Sequence, residues 1–234
     1  MSVKVVLFDL DGTLLPMDQE EFVKTYFTLL AKRMANYGYE PQGLIKAIWQ
    51  GTKAMMKNDG TRLNEEVFWE VLVSIYGEQC LESQKVFDDF YHNEFIGVKE
   101  ICGFNPLAKE AVERIKKAGY RVALVTQPIF PQIATENRLR WAGLDYSDFE
   151  LVTTYENIGF TKPVPEYYKD VCARLGVEPS DCLMVGNDVD DDMVTEDLGM
   201  QTFLVTDCLI NNSGKDISRY PQGNLSDLIR YLDV

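Results

Sequence analysis

The residues best suited to chemistry are carboxylates set at intervals along the chain. In "VVLFDLDGTL", residues 5–14, an apolar run ends in Asp9 and Asp11, one residue apart, followed by Gly12 and Thr13. Two carboxylates this close repel and raise one another's pKa, so something must offset their charge. The rest of the sequence offers the means. Thr126 and Gln127 follow "RVALV", Lys162 precedes Pro163, and Asn187 and Asp188 follow "CLMVG" with Asp190, Asp191 and Asp192 close behind. Crowded carboxylates are tolerable around a divalent cation. Hard oxygen ligands suit Mg2+, which takes one or two carboxylates and completes its shell with water and phosphate oxygens. That combination points to a small phosphorylated substrate. Lys162 supplies a point charge and Thr126 a hydroxyl for the remaining phosphate oxygens. A carboxylate so placed can attack phosphorus and form an acyl phosphate. A second acid two residues on can protonate the leaving oxygen and then activate water.

These residues lie far apart in sequence, so the fold must gather them. Residues 3–8, "VKVVLF", are β-branched and apolar and read as a strand buried on both faces, the mark of a parallel sheet. A helical texture follows. Asp18 with Glu21 has capping-box form, and Val23, Tyr26, Phe27, Leu30, Met34 and Tyr37 recur at helical spacing until Gly38. Leu44, Ile45, Ile48 and Met55 predict a second helix ended by "NDG" at 58–60. Asn64 is expected to cap a third, and Phe87, Phe90, Tyr91 and Phe95 mark a fourth. A strand–helix alternation then begins. "NPLAKEAVERIKKAG" has a cap at Asn105, proline at the first helical position and a closing glycine. "YRVALVT", "FELVTT", "CLMVG" and "TFLVT" are the expected strands, the last of them ending the sheet. "IFPQIATENRLRWAG" and "VPEYYKDVCARLG" are helices, "DDDMVTEDLG" a short helix whose opening acids suit the macrodipole, and "LSDLIRYL" a closing helix. The fold class is therefore α/β, a doubly wound parallel sheet with an inserted all-helical domain. Residues 1–15 and 98–234 form the expected core, and 16–97 the insertion. Ligands bind beyond the carboxyl ends of such strands, where the residues above fall.

Composition narrows the function classes. With 23 basic and 37 acidic side chains in 234 residues, the formal charge is −14, which argues against a nucleic-acid partner held by a basic surface. Five cysteines stand singly without metal-type spacing and read as reduced thiols. No signal-type or membrane-length apolar run occurs, so a cytoplasmic protein with no membrane partner, monomeric or weakly self-associating, is expected. His92, the one histidine, sits among aromatics of the fourth inserted helix and reads as a surface residue.

In its motifs the chain resembles the haloacid dehalogenase superfamily of aspartate-nucleophile hydrolases, mostly phosphatases. "DLDGTL", "VALVT", "TKPVPEYY" and "MVGNDVDDDM" match the family's four motifs in order. The resemblance implies a Rossmann-like core with a mobile helical cap that sets substrate choice. It makes Asp9 the nucleophile, Asp11 the general acid/base, and Thr126 a phosphate ligand. Lys162 becomes the residue that neutralises nucleophile and phosphoryl charge. Gln127 stands where the family often has a smaller polar residue beside the phosphate. Asp9, the Asp11 main-chain carbonyl and an acid of the fourth motif would hold Mg2+. That motif reads Gly-Asn-Asp, so either Asn187 takes the usual position with Asp192 as second acid, or Asp188 does. Asp188 is the better reading, because an amide is the poorer ligand for a hard cation. A phosphatase is the leading expectation. A sugar phosphomutase would keep both acids, whereas the dehalogenase branch lacks the second. A non-catalytic phospho-accepting module of the bacterial receiver kind would be about half this length, with its acceptor on a later strand. Among the cap cations, Lys53, Lys57 and Arg62 are open to facing the cavity.

Overall fold

Alternation along the first strand sets the layers. In the computed structural model, which describes residues 3–234, β1 (Val5–Phe8) points Val6 and Phe8 to one face of the sheet and Val5 and Leu7 to the other. All four are fully buried, as expected of a parallel strand covered on both sides. β2 (Arg121–Leu124), β3 (Cys182–Gly186), β4 (Gln201–Val205) and a two-residue β5 (Gln222–Gly223) complete a parallel sheet of order β2-β1-β3-β4-β5. The register pairs Phe8 with Leu124 on one side and with Val185 on the other, so the chain leaves three adjacent strands at one level.

After β1 the helical segment supplies four helices: α1 (Gln19–Ala35), α2 (Pro41–Met55), α3 (Asn64–Tyr76) and α4 (Gln84–His92). A 3-10 helix, Glu94–Ile101, carries the helical segment past residue 97. Its two connections run side by side, with Gly103 N donating to Pro16 O at 2.7 Å and Met17 bridged to Cys102. Phe22, Tyr26, Phe90 and Phe95 join the same apolar cluster as Val6, Phe8, Leu124 and Val185. The helical insertion therefore shares its core with one face of the sheet. On that face also pack α5 (Pro106–Lys117), α6 (Gln132–Trp141) and α8 (Leu225–Tyr231), while α7 (Pro165–Leu175) covers the other through Tyr167, Tyr168, Val171 and Leu175. The caps at Asp18 and Asn105 form as the sequence predicts, accepting from Glu21 N and Leu107 N at 3.0 Å each.

Four local expectations change. "FELVTT" makes only a single bridge, Val152 to Leu124, held by Leu124 N donating to Leu151 O at 2.8 Å and Thr153 N to Leu124 O at 3.0 Å, while the Thr153 hydroxyl bonds Thr126 O and the Tyr167 hydroxyl. "TFLVT" is followed by β5, which the polar sequence around it conceals. "DDDMVTEDLG" forms a turn and a 3-10 helix, Met193–Leu198, because the Asp188 carboxylate draws in the N–H groups of Asp190 and Asp191. Asn64 does not cap α3. Leu63 holds that position, its N–H donating to Glu66 Oε2 at 2.8 Å, and Asn64 is the first helical residue, completely buried. Its amide nitrogen donates instead to Pro128 O at 3.1 Å and Phe160 O at 3.0 Å, tying the helical insertion to two loops of the sheet domain.

All five cysteines are free, and His92 is exposed. Among the described residues no helix is long and apolar enough to cross a membrane.

Candidate active site

Asp9, Thr126 and Asn187 follow the three strand ends set level by the register, and all three line one small cavity. Asp11, Gln127, Lys162 and Asp188 complete the expected set around it, with Asp192 as well. Asp191 of the acidic run and Gln19, which the sequence did not single out, share the lining.

Lys162 is the electrostatic centre. Its Nζ lies 2.8 Å from Asp9 Oδ1 and 2.6 Å from Asp192 Oδ1, with only 2% of its side chain exposed. Burial works against the ammonium, but the carboxylates of Asp192 and Asp9 outweigh it and hold its pKa well above the ordinary lysine value. Asp192 has both oxygens engaged, since Oδ2 accepts from Asp188 N at 3.1 Å. A Cβ at Gly186 would collide with this carboxylate, so the strand end must be glycine for Asp192 to reach Lys162. Asp188 is different. Its Oδ1 accepts from Asp190 N and Asp191 N, while Oδ2 carries no protein hydrogen bond among the described residues.

Asn187 braces the loop that follows β1. Thr13 Oγ1 lies 3.1 Å from Asp9 Oδ2 and 2.9 Å from Asn187 Oδ1, and the Asn187 amide donates to Cys208 O at 2.6 Å. Gly12 has φ +87°, and a Cβ there would fall 2.3 Å from Asn187 Nδ2, so conformation and space both require glycine. Gln127 lines the cavity, but its amide is committed to the lysine loop: Oε1 accepts from Lys162 N at 3.0 Å and Nε2 donates to Lys162 O at 3.2 Å. Asp190, rather than opening a helix, binds Ser213 and Lys215 and anchors the C-terminal loop beside the acidic turn.

Arg138 on α6 is a further residue that sequence reasoning missed. It is 1% exposed, donates to Asp11 Oδ2, to Ala134 O and to Thr135 Oγ1, and stacks on Phe130 at 4.8 Å. A signal existed in the helical spacing, which puts Arg138 on the apolar face with Ala134 and Trp141. Burial pushes the Asp11 carboxyl above its usual range, with the Arg138 guanidinium pulling the other way. Asp191 is pushed up to about 6, mainly by burial.

Two polar atoms here are buried without partners, Asp11 Oδ1 and Thr126 Oγ1. The charge is unbalanced as well: Asp9, Asp11, Asp188, Asp191 and Asp192 face only Lys162 and Arg138. A divalent cation would correct that excess, and the donors are the hard oxygens Mg2+ prefers. Among the described residues no three acidic, histidine or cysteine side chains converge into a metal cage. A site of one or two carboxylates and a carbonyl, completed by water and substrate, matches Mg2+ habits.

Comparison with known proteins agrees with this geometry. The family profile of haloacid dehalogenase-like hydrolases matches residues 3–194. Pyrophosphatase PpaX of Bacillus velezensis is 26% identical over 86% of this chain and 82% of its own, and that of Bacillus cereus strain AH820 is 26% identical over 88% and 84%. In fold the chain is similar to a 2-haloacid dehalogenase from Pseudomonas syringae pv. Tomato, with TM-score 0.61 and 22% identity over 99% of this chain and 98% of the other. A phosphatase of the same family from Thermococcus onnurineus gives TM-score 0.58 and 19% identity over the same shares.

Proposed function

Because the chain belongs to the haloacid dehalogenase-like hydrolases, we propose that it is a Mg2+-dependent phosphatase that hydrolyses a small phosphorylated metabolite through an aspartyl-phosphate on Asp9. The observation that carries the reading is the buried Lys162 ammonium joining Asp9 to Asp192 beside two unpartnered atoms, Asp11 Oδ1 and Thr126 Oγ1. A phosphate seated there would accept from the Thr126 hydroxyl and be neutralised by Lys162.

In the first step an Asp9 oxygen attacks phosphorus, the bond from phosphorus to the ester oxygen breaks, and Asp11 gives its proton to the departing alcohol. In the second, Asp11 takes a proton from water as that water attacks phosphorus, releasing phosphate and restoring the Asp9 carboxylate. Thr13 and Lys162 fix the Asp9 carboxylate from its two oxygens. Gln127 serves the phosphate indirectly, by holding the Lys162 main chain. Asp9, the Asp11 carbonyl and Asp188 would hold Mg2+, with Asn187 and Asp192 behind them; the free Oδ2 favours Asp188 over Asp192. Bound there, the cation would neutralise phosphoryl oxygens and the crowded carboxylates. The helical insertion is read as a cap, with residues 1–15 and 98–234 as the core.

The test is phosphate release from an aromatic phosphate ester and a panel of sugar and nucleotide monophosphates and pyrophosphate, with and without Mg2+. Asp9→Asn should lower the rate by more than about a thousandfold while leaving the fold intact. Retained activity in that variant would remove Asp9 as nucleophile.

A further inference from the structure

Beside the carboxylates the chain leaves a second cavity of about 210 Å³, reaching from a polar end of Asp11, Gln19, Gln127, Asp188 and Asp191 to a wall of Met17, Phe22, Val23, Ile129 and Phe130. It adjoins a third of about 80 Å³, which shares Val23, Ile129 and Phe130 and is otherwise walled largely by aromatic rings, among them Trp49, Phe68, Trp69 and Tyr155. No lysine, arginine or histidine lines either one. Lys53, Lys57 and Arg62 are all exposed and outside both linings, and Arg62 pairs with Glu70 at 2.8 Å. The two nearby cations are committed, Lys162 to Asp9 and Asp192, Arg138 to Asp11.

We infer, resting on the phosphatase reading, that the alcohol half of the substrate is uncharged and apolar, a ring or branched alkyl group carrying a single phosphate. A second phosphate or a carboxylate reaching past the metal-binding carboxylates would meet Asp191 and Asp88 in the walls and no free cation. Hydroxyls reaching the far wall would lose their water against Phe22, Val23, Ile129 and Phe130, which cannot replace it. Size agrees: an apolar cavity of roughly 150 Å³ accepts benzene, so about 210 Å³ takes a single ring, and the adjoining 80 Å³ only a short alkyl extension.

The experiment compares kcat/KM of the full chain, with Mg2+, for benzyl phosphate, ethyl phosphate and phosphoglycolate, all esters of primary alcohols, and for pyrophosphate. Benzyl phosphate should exceed ethyl phosphate by about ten- to a hundredfold, the range expected from burying one ring, and phosphoglycolate should fall below ethyl phosphate. Val23→Lys, which places a cation where the two cavities meet, should raise phosphoglycolate relative to benzyl phosphate. Phosphoglycolate or pyrophosphate turned over as well as benzyl phosphate by the wild type would overturn the inference and leave the phosphatase reading standing. No phosphate from any of the four, by a folded chain, would overturn both. The wild-type ranking decides even if the variant does not fold.

Discussion

Arg138→Met isolates the one charge that lies on an otherwise apolar helix face. Methionine keeps much of the length and packing of the arginine stem, so the change removes mainly the guanidinium. Arg138 is 1% and the Asp11 side chain 20% exposed, which makes this a largely buried pair. Breaking such a pair from one side costs roughly 3–5 kcal/mol, because the remaining charge stays uncompensated. The lower end applies here, since Asp11 is partly solvated and can take up a proton. For a chain of this size about 3 kcal/mol corresponds to a Tm lowered by about 6–12 °C. The sign with pH follows from the same groups. Burial raises the Asp11 pKa and Arg138 opposes it, so without Arg138 the folded-state pKa goes further up. A raised folded-state pKa gives stability that is present at low pH and lost as pH rises through it. The variant's deficit should therefore be smaller at pH 5 than at pH 8. Thermal and urea unfolding of wild type, Arg138→Met, Asp11→Asn and the double variant would measure a coupling of at least about 1 kcal/mol. A deficit below about 1 kcal/mol, or strict additivity of the two changes, would refute the reasoning.

Asp188→Asn should raise the Mg2+ concentration for half-maximal activity by about tenfold or more, whereas Asp192→Asn should lower kcat with little change in that concentration; a metal titration with the reverse pattern would exchange their roles. Asn64→Ala leaves Pro128 O and Phe160 O without the amide donor and should cost about 2–4 kcal/mol in urea unfolding. Tyr26 is buried and its hydroxyl is pushed up to about 12 from the usual 10, chiefly by burial. Its contribution is thus complete below pH 10 and lost as pH rises toward 12, so Tyr26→Phe should flatten the fall in stability over that window, followed by circular dichroism at alkaline pH.

Much of the fold was legible because its elements announce themselves locally. "VKVVLF" and "CLMVG" are too apolar and too short for anything but buried parallel strands, and Asp18 and Asn105 cap as their side chains dictate. The motif residues converged because strand register brings their ends level, which a sequence predicts once the sheet is recognised. What escaped depends on partners distant in sequence. Asn64 has the composition of a cap, yet two carbonyls 64 and 96 residues away draw its amide inward. The run around Val152 has strand propensity and bonds β2 through Glu150, Leu151 and Thr153, yet it closes only one bridge. Gln127 reads as a substrate contact until the Lys162 loop is seen to occupy its amide. Arg138 was legible only as a misplaced charge, and the acid that justifies it lies 127 residues upstream.

The position of β1 between β2 and β3 also governs how the chain is made. Its partners begin at Arg121 and Cys182, so of the strands of this sheet β1 waits longest after its own synthesis to be covered on both edges. At roughly 5–20 residues per second, "VVLF" waits on the order of ten seconds for its second neighbour. During that interval its unpaired N–H and C=O groups are the adhesive edge of a nascent chain. The helices emerging in between, with Phe22 and Tyr26 already complementary to Val6 and Phe8, are positioned to shelter it until the sheet is complete.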